Sequence, residues 1–257
     1  MGGDALLVAI DFTAAELQLL LAEADGRPLH HEAWPLPELE DGDAWSWEVG
    51  GRIAASFATH GEGRSARAIA VAAPGPVDPV AGQLLQCAEQ PGWDGLAIVD
   101  ALRRHIDAPV AAESRTLAAL LGEQWQGAAA GADDVLYVSL HGTPAAAAMA
   151  GGRLVRGAQL RAGALPALPR LADALASDDA EAVVATLADL AALLDPAVVV
   201  LDGAAAHIER LVPLLQRVLD EVAPGPHVVA GELRGRAALI GALRMATTLA
   251  FEGQRKP

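Results

Sequence analysis

The chain has 257 residues, 53% of them hydrophobic but only 4% aromatic, and a formal charge of -15 at pH 7. That is enough apolar material for one large domain or two modest ones, with cores built from Ala, Leu and Val. A surface this acidic repels phosphate backbones and anionic lipid, which argues against direct nucleic-acid binding and membrane-surface attachment.

In chain order, Ala5–Ile10 is a continuous apolar run ending at Asp11, the pattern of a buried strand. Leu17–Ala22 and Pro28–Trp34 read as two further strands joined by the turn Ala24-Asp25-Gly26-Arg27. A helix is expected over Trp45–Thr59, then a buried strand over Ala68–Ala73 that stops at Pro74-Gly75-Pro76. Leu96–Ile106 is expected as helix, Pro109–Ala112 as a short strand and Thr116–Gln126 as helix.

The same order then begins again. Val135–Leu140, Ala145–Ala150 and Arg153–Val155 form three short strands, followed by a helix over Asp179–Leu194 with Ser177 or Asp178 as its N-cap. Ala197–Leu201 is a buried strand, His227–Ala230 another, and His207–Val222 and Arg236–Phe251 are helices. Two successive βββαβα halves predict an α/β protein of two facing domains around a cleft. The expected limits are 1–112 for the first domain, rejoined by the last helix at about 236–257, and 113–235 for the second.

The single cysteine, Cys87, excludes an intramolecular disulfide and a multi-cysteine zinc site, and reads as a small core residue. The opening MGGDALLVAIDF lacks the basic region of a signal peptide, and no stretch is long and apolar enough to span a bilayer, so a cytoplasmic location is expected.

Several spaced motifs share an order that resembles the ROK family of repressors, open reading frames and sugar kinases. They are PGPVDPVAG at Pro74–Gly82, PGW at Pro91–Trp93, ALLGE ending at Glu123, GGRLVRGA at Gly151–Ala158 and LLDPAVVVLDG ending at Gly203. The resemblance implies an actin-like, ribonuclease H-like fold of the hexokinase class, a homodimer, and phosphate transfer from Mg-ATP to a sugar.

The departures from that family fall on its chemistry. Its first phosphate loop resembles Asp-x-Gly-Gly-Thr-Lys, whereas here Asp11-Phe12-Thr13-Ala14-Ala15-Glu16 keeps only the aspartate. Such glycines let backbone N–H groups approach phosphate closely. Its catalytic base is the Asp of Glu-Asn-Asp-Ala-Asn, and Glu113-Ser114-Arg115-Thr116-Leu117 puts Arg115 in that place. A guanidinium is permanently protonated and cannot act as a base.

Its second phosphate loop, Gly-Thr-Gly-x-Gly-x-Gly, falls on His141-Gly142-Thr143-Pro144-Ala145-Ala146-Ala147, where every family glycine is replaced and Pro144 removes an N–H. The Gly-Glu-x-Gly-His segment that contacts sugar and zinc falls on Gly163-Ala164-Leu165-Pro166-Ala167. The Cys-x-Cys-Gly zinc segment is missing, and Asp202-Gly203-Ala204-Ala205-Ala206 replaces the adenosine-contacting glycines.

The expectation is therefore a ROK homologue that has lost kinase activity, with no catalytic residue, no cofactor, no zinc or other metal, and no DNA-binding domain of its own. It would bind a sugar, another small molecule or a partner protein. Candidate ligand contacts are Glu89, Glu113, Ser114, Arg115 and His141, and the residual phosphate-loop residues are Asp11, Thr13, Gly142 and Thr143. Arg115 either binds an anion or pairs with Glu113 or Glu123. His141 is either a base or a hydrogen-bonded structural residue. Trp45 and Trp47 either rim a carbohydrate site or pack on the sheet.

Two alternatives stay open. One is a glucokinase-like enzyme with a rearranged site, using Mg-ATP and Glu113 as base. The other is a ligand-sensing subunit serving a separate DNA-binding protein.

Overall fold

The computed structural model describes residues 5–163, 167–222 and 225–252. Two compact units emerge, one running to Ala118 and resuming at Ala238, the other spanning Ala119–Ala237.

In the first unit, strands β1 (Ala5–Phe12), β2 (Glu16–Ala22) and β3 (Pro28–Pro35) form an antiparallel meander. Helix α1 (Gly42–His60) follows, then β4 (Ser65–Ala73), which lies parallel to β1. A small hairpin, β5 (Val77–Asp78) and β6 (Gln83–Leu84), precedes α2 (Ile98–Arg103) and β7 (Val110–Ser114). The sheet order is β3-β2-β1-β4-β7.

Val8, Ile10 and Phe12 alternate along β1 and send their side chains into one core with Leu17, Leu19, Leu21, Ile69 and Val71. Phe12 packs its ring 5.0 Å from Trp45 and 5.8 Å from Trp93, which explains why the PGW motif is part of the frame. The expected helix over Leu96–Ile106 is shorter than the spacing suggested. Leu84 and Leu96 pair instead, Leu84 donating its N–H to the Leu96 carbonyl at 2.9 Å, so helix begins only at Ile98.

The PGPVDPVAG motif is held by close backbone approach. A side chain at Gly75 would sit 2.0 Å from the Gln86 carbonyl oxygen, and Gly82 has φ +67° with Val99 only 2.2 Å from where its Cβ would be.

Helix α3 (Arg115–Gln126) carries the chain into the second unit. There β8 (Val135–Ser139), β9 (Ala145–Ala150) and β10 (Arg153–Leu154) form a second meander. Helices α4 (Ala167–Ala176) and α5 (Ala180–Leu194) precede β11 (Val198–Asp202), which is followed by α6 (Ala205–Val222), β12 (His227–Ala230) and α7 (Ala237–Glu252). The order β10-β9-β8-β11-β12 repeats the first sheet. α4 was not anticipated; its Leu171 and Ala174 are buried in the core of this unit. The N-cap of α5 is Asp179, whose carboxylate accepts the Ala182 N–H, while Asp178 takes the left-handed φ of 58° that precedes it.

Residues 1–4, 164–166 and 253–257, which include parts of the N-terminal reading, of the Gly163–Ala167 segment and of the closing domain limit, lie outside the described residues. Among the described residues no helix is long and apolar enough to cross a membrane.

Candidate functional site

The parallel strands β1, β4 and β7 place Asp11, Ala72 and Glu113 side by side at their carboxyl ends. That is where open α/β sheets collect ligand-binding residues. Both acids are 2% exposed. A buried carboxylate needs partners, because removal from water disfavours its charged form.

For Asp11 the partner is Arg115, the first residue of α3. Its Nε lies 2.5 Å from Oδ1 and its Nη2 3.0 Å from Oδ2, a two-point contact of guanidinium and carboxylate planes. Sequence reading weighed an anion, Glu113 or Glu123 for Arg115; the contact with Asp11, 104 residues away, was not among them. Burial pushes the Asp11 carboxyl above its ordinary range, and the Arg115 guanidinium pulls in the opposite direction. The arginine side chain itself is 37% exposed, so the pair is reachable from solvent on one side.

Glu113 turns one carboxylate oxygen back to the N–H of Ser114 at 2.9 Å. Ser114 accepts the Leu117 N–H on its hydroxyl and so caps α3. Both residues therefore have local structural work at the start of the helix that bears Arg115.

The β1–β2 turn is closed on itself. The Thr13 hydroxyl accepts the N–H groups of Ala15 at 3.2 Å and Glu16 at 3.0 Å, while the Thr13 N–H donates to the Glu16 carbonyl at 2.8 Å. A phosphate-binding turn offers its N–H groups outward. This one turns three of them inward.

In the second unit the corresponding strand ends carry Ser139 and Asp202, paired in register. Asp202 is not the plain turn residue that its Asp-Gly context suggests. It is 6% exposed, accepts the Tyr137 hydroxyl at 2.8 Å and lies 3.3 Å from the His141 ring nitrogen. His141 thus lies against a buried carboxylate while its own side chain stays half exposed. Gly142 has φ +56°, and Gly142 and Thr143 sit exposed in the turn before β9. Ala145 and Ala147, which replace phosphate-loop glycines, are ladder residues of β9 paired to Ser139 and Tyr137.

Glu89 lies on an exposed bend beyond Cys87. Cys87 is 1% exposed, and burial pushes its thiol up. Of the two tryptophans, Trp45 is fully buried beneath the sheet whereas Trp47 is 77% exposed on α1.

Sequence reasoning missed Glu123 as an organising residue. It is fully buried and accepts the backbone N–H groups of Ala128, Glu232 and Leu233 at 2.8, 3.2 and 2.9 Å. An acid at the apolar end of ALLGE was the available signal. Nothing local named its partners.

Comparison with known proteins agrees with this architecture. A model of the ROK family matches residues 7–165. No curated protein is matched by the sequence. Among solved structures, the chain is similar to a ROK family transcriptional regulator described as a homolog of the E. coli MLC protein, with TM-score 0.82 and 17% identity, over 97% of this chain and 79% of that one. It is also similar to the ROK hexokinase of Thermus thermophilus, with TM-score 0.75 and 24% identity over 97% and 99%. A ROK family glucokinase from Streptomyces griseus, solved with glucose and AMPPNP, superposes with TM-score 0.70 and 20% identity over 95% and 100%.

Proposed function

The chain belongs to the ROK family, and from that premise we propose that it has given up phosphoryl transfer and serves as a small-molecule-binding or partner-binding protein. The observation that carries this reading is the Asp11–Arg115 pair. The position that resembles the family's base holds a permanently charged cation, and the one acid retained from its first phosphate loop is engaged by that cation. The inward-turned Thr13 turn and Pro144 support the same reading.

The ligand class favoured is a sugar or other polar small molecule, met by Arg115 at the carboxyl ends of the parallel strands. Neither Mg-ATP nor zinc is needed for such binding.

The deciding experiment is a coupled ADP-release assay with a panel of hexoses and amino sugars, run beside thermal unfolding with Mg-ATP, Mg-ADP and each sugar. No turnover is expected even at high protein concentration. A ligand at a hundred times its dissociation constant adds about 2.7 kcal/mol of stability, which unfolding detects readily. Turnover that disappears in Asp11→Ala overturns the proposal.

A second reading, an ATP-dependent hexose kinase with a rearranged site, is favoured by the glucokinase and hexokinase among the similar structures. It assigns the base to buried Glu113, and full activity in Glu113→Gln would remove that assignment. The regulator among the similar structures favours a third reading, a sensing subunit for a separate DNA-binding protein. Stabilisation by a sugar without nucleotide, together with recovery of a regulator from native lysate, would select it.

A further inference from the structure

The edge strand β3 presents an unusual inward face. Its half-buried positions are His30, Glu32 and Trp34, alternating with exposed residues. Two of the three are polar where an edge strand covered by a helix normally carries aliphatic side chains. Across from them, α1 brings Ser56 and His60, one turn apart, so that both reach the same carboxylate.

The geometry is convergent. His30 Nε2 lies 2.6 Å from Glu32 Oε1 and His60 Nε2 3.6 Å from the same oxygen, while the Ser56 hydroxyl donates to it from the other side. The two imidazoles stack with centroids 3.6 Å apart and planes 14° from parallel. One ligand atom from each of His30, Glu32 and His60 lies within 4.8 Å of the other two.

A second observation points to a cation. His30 Nε2 is closed off from solvent and, despite its short distance to the carboxylate, makes no hydrogen bond of acceptable angle. In the tautomer that leaves this nitrogen unprotonated it is available as a metal ligand. Ser56 supplies the outer hydrogen bond that orients the carboxylate, as metal-ligating carboxylates usually require.

We propose that His30, Glu32 and His60 form a binding site for a divalent transition-metal ion of the zinc class, clipping the edge strand β3 to the end of α1. Two imidazoles and one carboxylate form a familiar three-ligand zinc set, with a fourth position left to water or a ligand atom. The sequence reading expected no metal because it looked for cysteines and for the family's own zinc segment; this site uses neither. It stands independently of whether the protein transfers phosphate.

The test is a titration of chelator-treated full-length protein with Zn²⁺ against a chromophoric competitor, repeated with His60→Asn and Glu32→Gln. Cobalt(II) substitution gives a spectroscopic readout of coordination number and ligand type. One equivalent is expected to bind the unaltered protein, with affinity falling more than about tenfold in either variant. Zinc should raise the unfolding midpoint of the unaltered protein only.

Absence of saturable one-to-one binding overturns the proposal. So does binding that both variants retain, which would place the ion on surface carboxylates. Should a variant fail to fold, diethyl pyrocarbonate labelling of the unaltered protein decides. Zinc must protect His60 while His31 and His227 remain reactive, and equal labelling of His60 with and without zinc rejects the site.

Discussion

The Arg115 guanidinium holds the buried Asp11 carboxylate at two points, 2.5 and 3.0 Å, across a sequence separation of 104 residues. Removing one member of a largely buried pair leaves the other uncompensated, a loss of about 3–5 kcal/mol at full burial. Arg115 is part exposed, so water partly replaces it. Arg115→Ala is expected to lose about 2 kcal/mol at neutral pH, measured by urea unfolding.

The loss should depend on pH. Burial already holds the Asp11 carboxyl above its ordinary 3.8, and deleting the arginine raises it further. A raised carboxyl favours the folded state below the unfolded value, and that contribution disappears as pH climbs through the folded value. The variant's deficit should therefore be larger at pH 8 than at pH 5. An equal deficit at both would mean that packing of the arginine stem, not its charge, is what was lost.

Replacing Arg115 by aspartate puts a carboxylate where the family resemblance places the base. It should not confer phosphate transfer, because the Thr13 turn still closes its own N–H groups and Pro144 still lacks one. It also sets two carboxylates together, so Arg115→Asp should be less stable than Arg115→Ala. A coupled kinase assay and an unfolding curve on the same preparation check both points. Sugar phosphorylation by Arg115→Asp but not by the unaltered protein would show that this one residue decides whether the chain transfers phosphate.

Glu123 ties the end of α3 to the segment after β12 through three backbone N–H groups. Truncating it strands those donors inside the unit, each worth about 1–3 kcal/mol when left unsatisfied. Glu123→Ala should lose about 4 kcal/mol, and Glu123→Gln, which keeps one acceptor oxygen, about 2 kcal/mol. Hydrogen exchange at Glu232 and Leu233 should accelerate in both.

Gly241 lets α7 approach the backbone of α3. A Cβ there would fall 1.7 Å from the Ala118 carbonyl oxygen. Gly241→Ala in a helix interior would ordinarily gain about 1 kcal/mol from propensity. Here overpacking should reverse the sign and cost about 3 kcal/mol, visible as a lowered Tm.

Much of the fold was legible along the chain. The apolar run of β1, the turn at Ala24–Arg27 and the buried AVVVL of β11 are local patterns, set by side-chain alternation and turn chemistry that any short window contains. The repeated strand–strand–strand–helix order, and with it the pair of matching sheets, followed from the same periodicities. The departures at Arg115 and Pro144 were legible only through the resemblance to family motifs, not through periodicity.

What the tertiary structure alone decided is which group each charged side chain meets. Asp11 and Arg115 come together because β1, β4 and β7 lie adjacent and in register, a relationship with no trace in either residue's neighbours. Glu123 finds Leu233 110 residues away, and His30 meets His60 because α1 runs back over the edge strand. Short-range periodicity sets which face a residue occupies. Strand order and helix packing set what lies across from it, and a buried charge takes its role from that partner.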